Sequence, residues 1–165
     1  CVRIARSLRI NGPATREDGS VSRKIEKIVV AVDFSDNSGH AVDMAVDLAK
    51  KFGARIDLIH VFEMPVPPVT PYELVLPDNF VTEARESVLK QLDAVKVDVE
   101  GRGVEVAAHL GDAPAYVAIN ELAKELAADL IVMGTRGNTG LKHIVLGSVA
   151  ERTLRHAECP VLTVK

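Results

Sequence analysis

The sequence contains few aromatic residues and few cysteines. Tryptophan is absent, and Phe, Trp and Tyr together make up 4% of the 165 residues, so the core must consist mainly of aliphatic side chains. The two cysteines, Cys1 and Cys159, form neither a CxxC pair nor a disulfide framework. We therefore expect a reducing, cytoplasmic location.

Charge of one sign and long hydrophobic runs are also missing. Lys and Arg total 20 against 23 Asp and Glu, a net charge of -3, which gives no electrostatic reason to expect a nucleic-acid partner. No apolar run reaches the roughly 18 residues that a membrane-spanning helix requires, so we expect no membrane insertion. The hydrophobic fraction of 47% is typical of one globular domain with a single core.

The first 23 residues differ from the rest of the chain. They mix arginines with small polar residues, show no sustained hydrophobic period and lack the apolar stretch of a secretory signal. We predict a flexible N-terminal extension over residues 1–23, with an arginine-bearing targeting segment as the alternative. A single domain is expected over residues 24–165.

From Lys27 onwards, apolar strands alternate with amphipathic helices. KIVVAVDF has the continuous apolar core of a strand buried on both faces, and RIDLIHVFE, VEVAAHL, DLIVMG and CPVLTV are four further strand candidates. Four helices separate them, the last from Ser148 to His156. The pattern predicts an α/β fold, a Rossmann-like open sheet of five mainly parallel strands in the order 3-2-1-4-5, with four helices on both faces.

In a sheet of this order, ligands bind beyond the carboxyl ends of the strands where the order reverses, here between the first and fourth strands. VDFSDNS follows the first strand and GTRGNTG follows the fourth. A proline-rich stretch between Met64 and Asp78 predicts an irregular loop that could lie over the same region. The sequence therefore predicts a crevice lined by two loops.

The second of these loops has a distinctive glycine spacing. Gly134, Gly137 and Gly147-Ser148 follow the pattern Gly-x2-Gly-x9-Gly-Ser, and glycines allow backbone N–H groups to converge on an anion. Ser148 also opens a helix, whose N-terminus attracts negative charge, and Arg136 and Lys142 could add positive charge. A structural explanation stays open, because SVAE is a capping box with Ser148 at the cap and Glu151 three residues later.

The sequence lacks the common motifs of other nucleotide-binding, hydrolytic and metal sites. There is no GxxxxGK[ST] phosphate loop, no GxGxxG after the first strand, no GxSxG and no HxxxH or HExxH pair. No residue is assigned a catalytic role, and no metal ligands are assigned.

GTRGNTG…VLGSVAE, followed by HAECPVLTV, resembles the end of a universal stress protein domain of the ATP-binding type. KIVVAVDFSDNSGHAVDMAVDLAKKFGARIDLIHVFE resembles the start of that domain. The resemblance covers about Lys24 to Lys165 and is weak between Met64 and Glu100. It implies that ATP, with Mg²⁺ or Mn²⁺, lies across the crevice, and that the last strand pairs with a second copy in a homodimer.

The resemblance also implies a role for each matching position. Asp33 would accept hydrogen bonds from the ribose, although it could instead be a helix-entry turn residue. The other implied contacts are Ala31, Val61 and Met133 with the base, Gly134, Arg136 and Gly137 with the phosphates, Gly147, Ser148 and Val149 with the terminal phosphates, and Ser35 with a phosphate or the metal shell. Val61 and Met133 could equally be ordinary core residues, and Arg136 stands at a position that varies in the family.

The function expected from this resemblance is that of a nucleotide-dependent regulatory protein with an unidentified protein partner. The alternatives are a slow ATPase or autophosphorylating enzyme and a nucleotide-free stress scaffold. An adenylating ATP pyrophosphatase fits less well, because VDFSDNSG has its only glycine late. No carboxylate occurs between Gly134 and Ala150, so the sequence favours binding over catalysis.

Overall fold

The computed structural model describes residues 24–63, 79–137 and 146–165, together with the backbone of residues 3–5. The irregular loop expected between Met64 and Asp78 lies outside the described residues, as does Lys142. No helix within the described ranges is long and apolar enough to cross a membrane.

The described chain forms strands and helices in the predicted alternation. The strands are β1 Arg3–Ala5, β2 Lys27–Ala31, β3 Arg55–Val61, β4 Val106–Gly111, β5 Leu130–Gly134 and β6 Val161–Val164. The helices are α1 Asp36–Phe52, α2 Phe80–Gly101, α3 Ala115–Glu125 and α4 Ser148–His156. The last helix begins and ends at the predicted residues.

The strands form one sheet in the order β1-β6-β5-β2-β3-β4. The five strands from β2 to β6 are all parallel to their neighbours. Counted along the chain from β2, their order is 3-2-1-4-5, so the predicted α/β fold is confirmed. The chain adds β3 and β4 on one side of β2, then returns to add β5 and β6 on the other, so the order reverses between β2 and β5.

β1 is a sixth strand that the sequence did not predict. It pairs antiparallel with β6, with Arg3 opposite Thr163 and Ala5 opposite Val161. Part of the N-terminal extension therefore belongs to the sheet. The flexibility predicted for residues 1–23 stays a prediction for the remainder, which lies outside the described residues.

Helices cover both faces of the sheet, so the central strands are apolar on both faces. Ile28 and Val30 of β2 pack in one buried cluster with Ala45 of α1, whereas Val29 packs in a second cluster with Ile119 of α3. All three β2 side chains have 0% exposure. The apolar run of β2 is uninterrupted because helices cover both faces of this strand, as the sequence predicted.

Helix α1 begins directly after the turn that leaves β2. Ser35 is its N-cap, and the Ser35 side chain accepts a hydrogen bond from the backbone N–H of Ser38. Gly53 ends the helix with a left-handed φ of 69°, which favours glycine. Ser35 and Gly53 thus set the two ends of α1. Since α1 directly follows β2, its first turn lies at the carboxyl edge of the sheet.

Candidate functional site

The carboxyl ends of β2 and β5 lie side by side where the strand order reverses. Ala31 of β2 is in register with Met133 of β5. Asp33 follows β2 and Gly134 ends β5. The β2–α1 turn and the glycine loop thus leave the sheet next to each other, and we call the space between them the crevice.

None of the motif glycines has the positive φ for which glycine is often needed. Among the described residues, a left-handed φ occurs at other glycines, not at Gly134, Gly137 or Gly147. Gly147 has φ −70° and ψ 156°, an extended conformation open to other residues. Close approach of other atoms is the second reason for a glycine, and it applies differently at each position.

At Gly134 the protein itself provides a reason for glycine. A Cβ there would lie 3.1 Å from the Cβ of Asn37 and 3.1 Å from the carbonyl oxygen of Arg136. The Asn37 side-chain amide also donates a hydrogen bond to that carbonyl oxygen, at 3.4 Å. The first turn of α1 therefore packs directly on the end of β5, and this packing alone explains Gly134.

Gly137 lies against the carboxylate of Asp33. A Cβ at Gly137 would overlap the Asp33 Oδ2 atom. The Asp33 Oδ1 atom accepts hydrogen bonds from the Ser35 backbone N–H, at 3.1 Å, and from the Ser35 hydroxyl. Asp33 thus shapes the helix-entry turn, as the structural alternative expected, and its carboxylate also reaches across the crevice to the glycine loop.

Gly147 has no comparable reason within the described protein. A Cβ there would lie 3.4 Å from the carbonyl oxygen of Thr135 and 3.6 Å from the Cα of Arg136, which are ordinary contacts. Neither the backbone conformation nor the described neighbours require a glycine. The close approach of a bound molecule remains as an explanation.

Two backbone hydrogen bonds fix the base of the glycine loop. The N–H of Gly147 donates to the carbonyl oxygen of Thr135 at 2.7 Å. The N–H of Thr135 donates to the carbonyl oxygen of Val164, also at 2.7 Å. The first part of the motif, Gly134 to Gly137, is thereby held next to Gly147 and the start of α4. This proximity does not depend on residues 138–145, which lie outside the described residues.

The predicted capping box at the start of α4 is wrong. Gly147, not Ser148, is the N-cap, and no side chain at the cap position bonds the first turn. Glu151 instead accepts a hydrogen bond from Arg155 at 2.7 Å. In α1 the side chain of the cap residue, Ser35, accepts a hydrogen bond from the first turn. Glycine has no side chain that could do this in α4, so the free N–H groups and the positive end of the helix dipole are left without such a partner at the cap.

Two buried polar atoms at the loop base have no hydrogen-bond partner within the described part of the chain. They are the hydroxyl oxygen of Thr135 and the Nε atom of Arg136. Buried polar atoms in proteins are nearly always hydrogen-bonded. The loop base therefore carries bonding capacity that the described residues do not use.

The three residues predicted to surround a base lie in one apolar cluster at the crevice. Met133 is a buried member, at 4% exposure, and Ala31 and Val61 are partly buried against the cluster. The burial of Met133 also fits its alternative as a core residue. Val149, in the first turn of α4, is exposed.

Sequence reasoning missed the residues that hold the crevice in shape. Asn37 and Thr135 are not among the glycines that define the motif, and their contacts arise only when the sheet brings α1 beside the end of β5 and the end of β5 beside β6. Phe34 has a left-handed φ of 61°, which its side chain does not indicate, and its ring stacks on His60. No signal in the sequence alone could have identified these four residues.

No protein-only metal site is present in the described ranges. There, no group of three or more His, Cys, Asp or Glu side chains could hold a metal ion. Metal-ligating residues, which the sequence left unassigned, stay unassigned.

The model of the universal stress protein family matches residues 24–165, the whole predicted domain. The chain belongs to the universal stress protein family. A universal stress protein of Methanocaldococcus jannaschii is 39% identical over 144 residues, which cover 85% of this chain and 82% of that protein. The universal stress protein YxiE of Bacillus subtilis is 38% identical, with coverage of 84% of this chain and 98% of YxiE.

Solved structures of the family share the fold of this universal stress protein. A family member from Burkholderia pseudomallei has a TM-score of 0.67 and 34% identity, covering 87% of this chain and 98% of that one. The universal stress protein of Archaeoglobus fulgidus in complex with dAMP has a TM-score of 0.60 and 25% identity, covering 87% and 100%. The parallel sheet and its covering helices are thus common to the family.

Proposed function

We propose that this universal stress protein binds ATP in the crevice and acts in the cytoplasm as a nucleotide-dependent regulator of a stress response, through a protein partner still to be identified. The observation that carries the proposal is the presence of a glycine at position 147, for which the described protein gives no other reason. Its backbone conformation and its described neighbours do not require glycine. It also stands at the N-terminus of α4, where unpaired N–H groups and the helix dipole attract phosphate.

In this proposal the glycine loop holds the phosphates at two places. Gly134, Arg136 and Gly137 contact them at the start of the loop, where the Nε atom of Arg136 is buried without a partner among the described residues. The start of α4 holds the terminal phosphates through the residues Gly147, Ser148 and Val149. The hydrogen bond from Gly147 to Thr135 keeps the two places together.

The sugar and base are assigned to the other side of the crevice. The carboxylate of Asp33 accepts hydrogen bonds from the ribose hydroxyls, the backbone of Val61 meets the adenine edge, and Ala31 and Met133 wall the base. Ser35 caps α1 and donates to Asp33. Its hydroxyl therefore supports Asp33, and a direct contact with a phosphate or the metal shell is the less favoured role.

A relative provides independent support for an adenine nucleotide. The Archaeoglobus fulgidus protein was solved in complex with dAMP. ATP is proposed because its triphosphate could reach both the start of the glycine loop and the start of α4, which the hydrogen bond from Gly147 to Thr135 holds together. Mg²⁺ or Mn²⁺ would neutralise part of the phosphate charge, coordinated mainly by phosphate oxygens and water.

Binding is favoured over efficient hydrolysis because no general base is assigned. Hydrolysis needs a group that positions water in line with the terminal phosphate. Asp33 is assigned to the ribose, and Glu151 bonds to Arg155. A slow ATPase or autophosphorylating activity is the second candidate function, and a nucleotide-free scaffold is the third.

Freshly purified protein is expected to release ATP or ADP, at about one nucleotide per chain, when it is denatured. The nucleotide bound in the cell would be retained during purification if it dissociates slowly, as tightly bound ligands do. Chromatography of the supernatant against nucleotide standards measures the amount and identity. A dominant ADP fraction that grows with incubation would favour the slow ATPase. Protein that is empty and binds no added ATP with magnesium would leave only the scaffold.

A homodimer through β6, the C-terminal strand, is the second part of the proposal. An edge strand has unpaired N–H and C=O groups that can pair with another chain. In this protein β1 pairs with the same edge of β6. Since one edge accepts one neighbour, a dimer that pairs through this edge requires β1 to leave β6.

The double variant Ile4→Pro/Ala5→Pro is expected to self-associate about tenfold more strongly than the parent, a change of about 1.4 kcal/mol. Adjacent N–H groups in a strand point to opposite sides, so one of the two prolines must remove a β1–β6 hydrogen bond. Sedimentation equilibrium over a range of concentrations measures the dimer constant. Ile4→Val/Ala5→Val, which keeps both donors, is the control. Equal dimer constants for both variants would argue against dimerisation through β6.

A further inference from the structure

The turn between β2 and α1 contains a strained residue. Phe34 has φ 61°, in the left-handed region, and it is one of two non-glycine residues with positive φ in the described part of the chain. A side chain with a Cβ disfavours this region by roughly 1–2 kcal/mol, so neighbouring contacts must hold the conformation. Phe34 is directly followed by Ser35 and directly preceded by Asp33, the residue assigned to the ribose.

His60, near the end of β3, contacts the residues on both sides of Asp33. Its ring stacks on the ring of Phe34, with centroids 4.5 Å apart and an interplanar angle of 27°. Its Nδ1 atom lies 2.7 Å from the carbonyl oxygen of Val32. A carbonyl oxygen only accepts, so His60 must carry a proton on Nδ1 and donate it.

These two contacts hold the backbone on both sides of Asp33 and thereby set the direction of its carboxylate. Val32 is further held by its own N–H, which donates to the carbonyl oxygen of Ile59 at 2.8 Å. The Asp33 Oδ1 atom is bonded to Ser35, and its Oδ2 atom lies against Gly137. A shift of Val32 or Phe34 would therefore move the carboxylate relative to the glycine loop.

We propose that His60 is a positioning residue, which holds the Asp33 carboxylate at the glycine loop through the Val32 carbonyl and the Phe34 ring. The inference rests on the proposed function, because Asp33 matters to a ligand only if the crevice binds a nucleotide. His60 acts on the sugar contact alone. Its loss weakens recognition of the ribose hydroxyls while the phosphate contacts at Gly147 and α4 remain.

The test compares the affinities for ATP and for 2′,3′-dideoxy-ATP, which lacks both ribose hydroxyls. The parent is expected to bind ATP about tenfold more tightly, as hydrogen bonds to a charged group would give. In His60→Ala this ratio is expected to fall to about twofold or less. A role of His60 in general stability would lower both affinities together and leave the ratio unchanged.

His60→Asn is the rescuing variant, because its side-chain nitrogen branches from Cγ as Nδ1 does in histidine. It keeps a donor for the Val32 carbonyl but cannot stack on the Phe34 ring, so its ratio is expected to lie between those of His60→Ala and the parent, at about fivefold. A ratio equal to that of His60→Ala would show that the hydrogen bond to Val32 does not position Asp33. His40→Ala, at an exposed position in α1, is the matched control and should keep the parent ratio. Isothermal titration calorimetry measures both affinities for each protein.

The outcomes separate this inference from the proposed function. A parent that binds neither nucleotide overturns both, and a parent that binds both equally overturns the ribose contact of Asp33 and this inference with it. A parent that prefers ATP, with an unchanged ratio in folded His60→Ala, overturns the role of His60 alone. If circular dichroism shows that His60→Ala does not fold, Phe34→Leu takes its place. A lowered ratio then supports the proposal, and the parent ratio overturns it.

Discussion

Replacing Gly147 by valine is expected to weaken ATP binding about a hundredfold and to leave the fold intact. The N–H groups at the start of α4 are proposed to hold the terminal phosphates. Valine keeps its own N–H, but its side chain would keep the phosphates away from these donors, and loss of hydrogen bonds to a charged group costs about 1.5–3 kcal/mol. The Gly147 conformation suits valine, and among the described residues a Cβ there would make ordinary contacts with Thr135 and Arg136. Titration calorimetry measures the affinity, and thermal unfolding without nucleotide measures the stability.

Gly101→Val is the matched control, since Gly101 is exposed at the end of α2 and a Cβ there would meet no described atom within 4 Å. This control should bind ATP as the parent does. Gly137→Val is a less specific variant, because its Cβ would displace the Asp33 carboxylate and disturb the turn as well as the ligand. Parent-like affinity in a folded Gly147→Val protein would show that the phosphates do not lie at the start of α4.

Replacing Asp57 by alanine is expected to lower the free energy of unfolding by about 3 kcal/mol, because it leaves the Arg55 guanidinium and the His109 ring without their shared carboxylate. The Asp57 side chain is 1% exposed. It accepts hydrogen bonds from Arg55 at 3.1 and 3.3 Å and from His109 at 3.0 Å. Arg55 and His109 are about one-third exposed, so water can hydrate them in part once the carboxylate is removed. The expected loss of unfolding free energy is therefore at the lower end of the range for buried ion pairs.

Urea unfolding of Asp57→Ala, monitored by circular dichroism, measures this loss. Asp47→Ala, which removes an exposed carboxylate of α1, should change the unfolding free energy by no more than about 0.5 kcal/mol. Asp57 lies four residues before Val61, roughly 13 Å along β3, so ATP affinity of the folded variant should match the parent. Parent-like stability of Asp57→Ala would mean that the three side chains contribute no net stabilisation.

The sequence determined the sheet because the signals for it are local. The run of apolar residues in KIVVAVDF can be buried only if both faces of the strand are covered, and the structure covers both. The start of α1 at Ser35 and its end at Gly53 follow from the preferences of those side chains for helix ends. With five such strands separated by helices, the parallel order reversing beside β2 is strongly constrained.

The sequence also located the candidate site, but gave incomplete reasons for its residues. The glycine spacing marked Gly134, Gly137 and Gly147 as equivalent members of one motif. In the structure Gly134 is explained by packing of Asn37, Gly137 by the Asp33 carboxylate, and only Gly147 by neither. The capping box assigned to Ser148 and Glu151 was wrong, because Ser148 is already the first residue of α4 and Gly147 occupies the cap position.

Local preference thus determined the five parallel strands and four helices of this protein, where most of them begin and end, and at which edge of the sheet the candidate site lies. Only the tertiary structure decided which side chains meet at that edge. The contacts of Asn37 with Gly134, of Thr135 with Gly147 and of His60 with Phe34 join segments that are distant in sequence. The pairing of β1 with β6 does the same. Such contacts have no local signature, because they depend on the distances and directions that the packed sheet imposes on its loops.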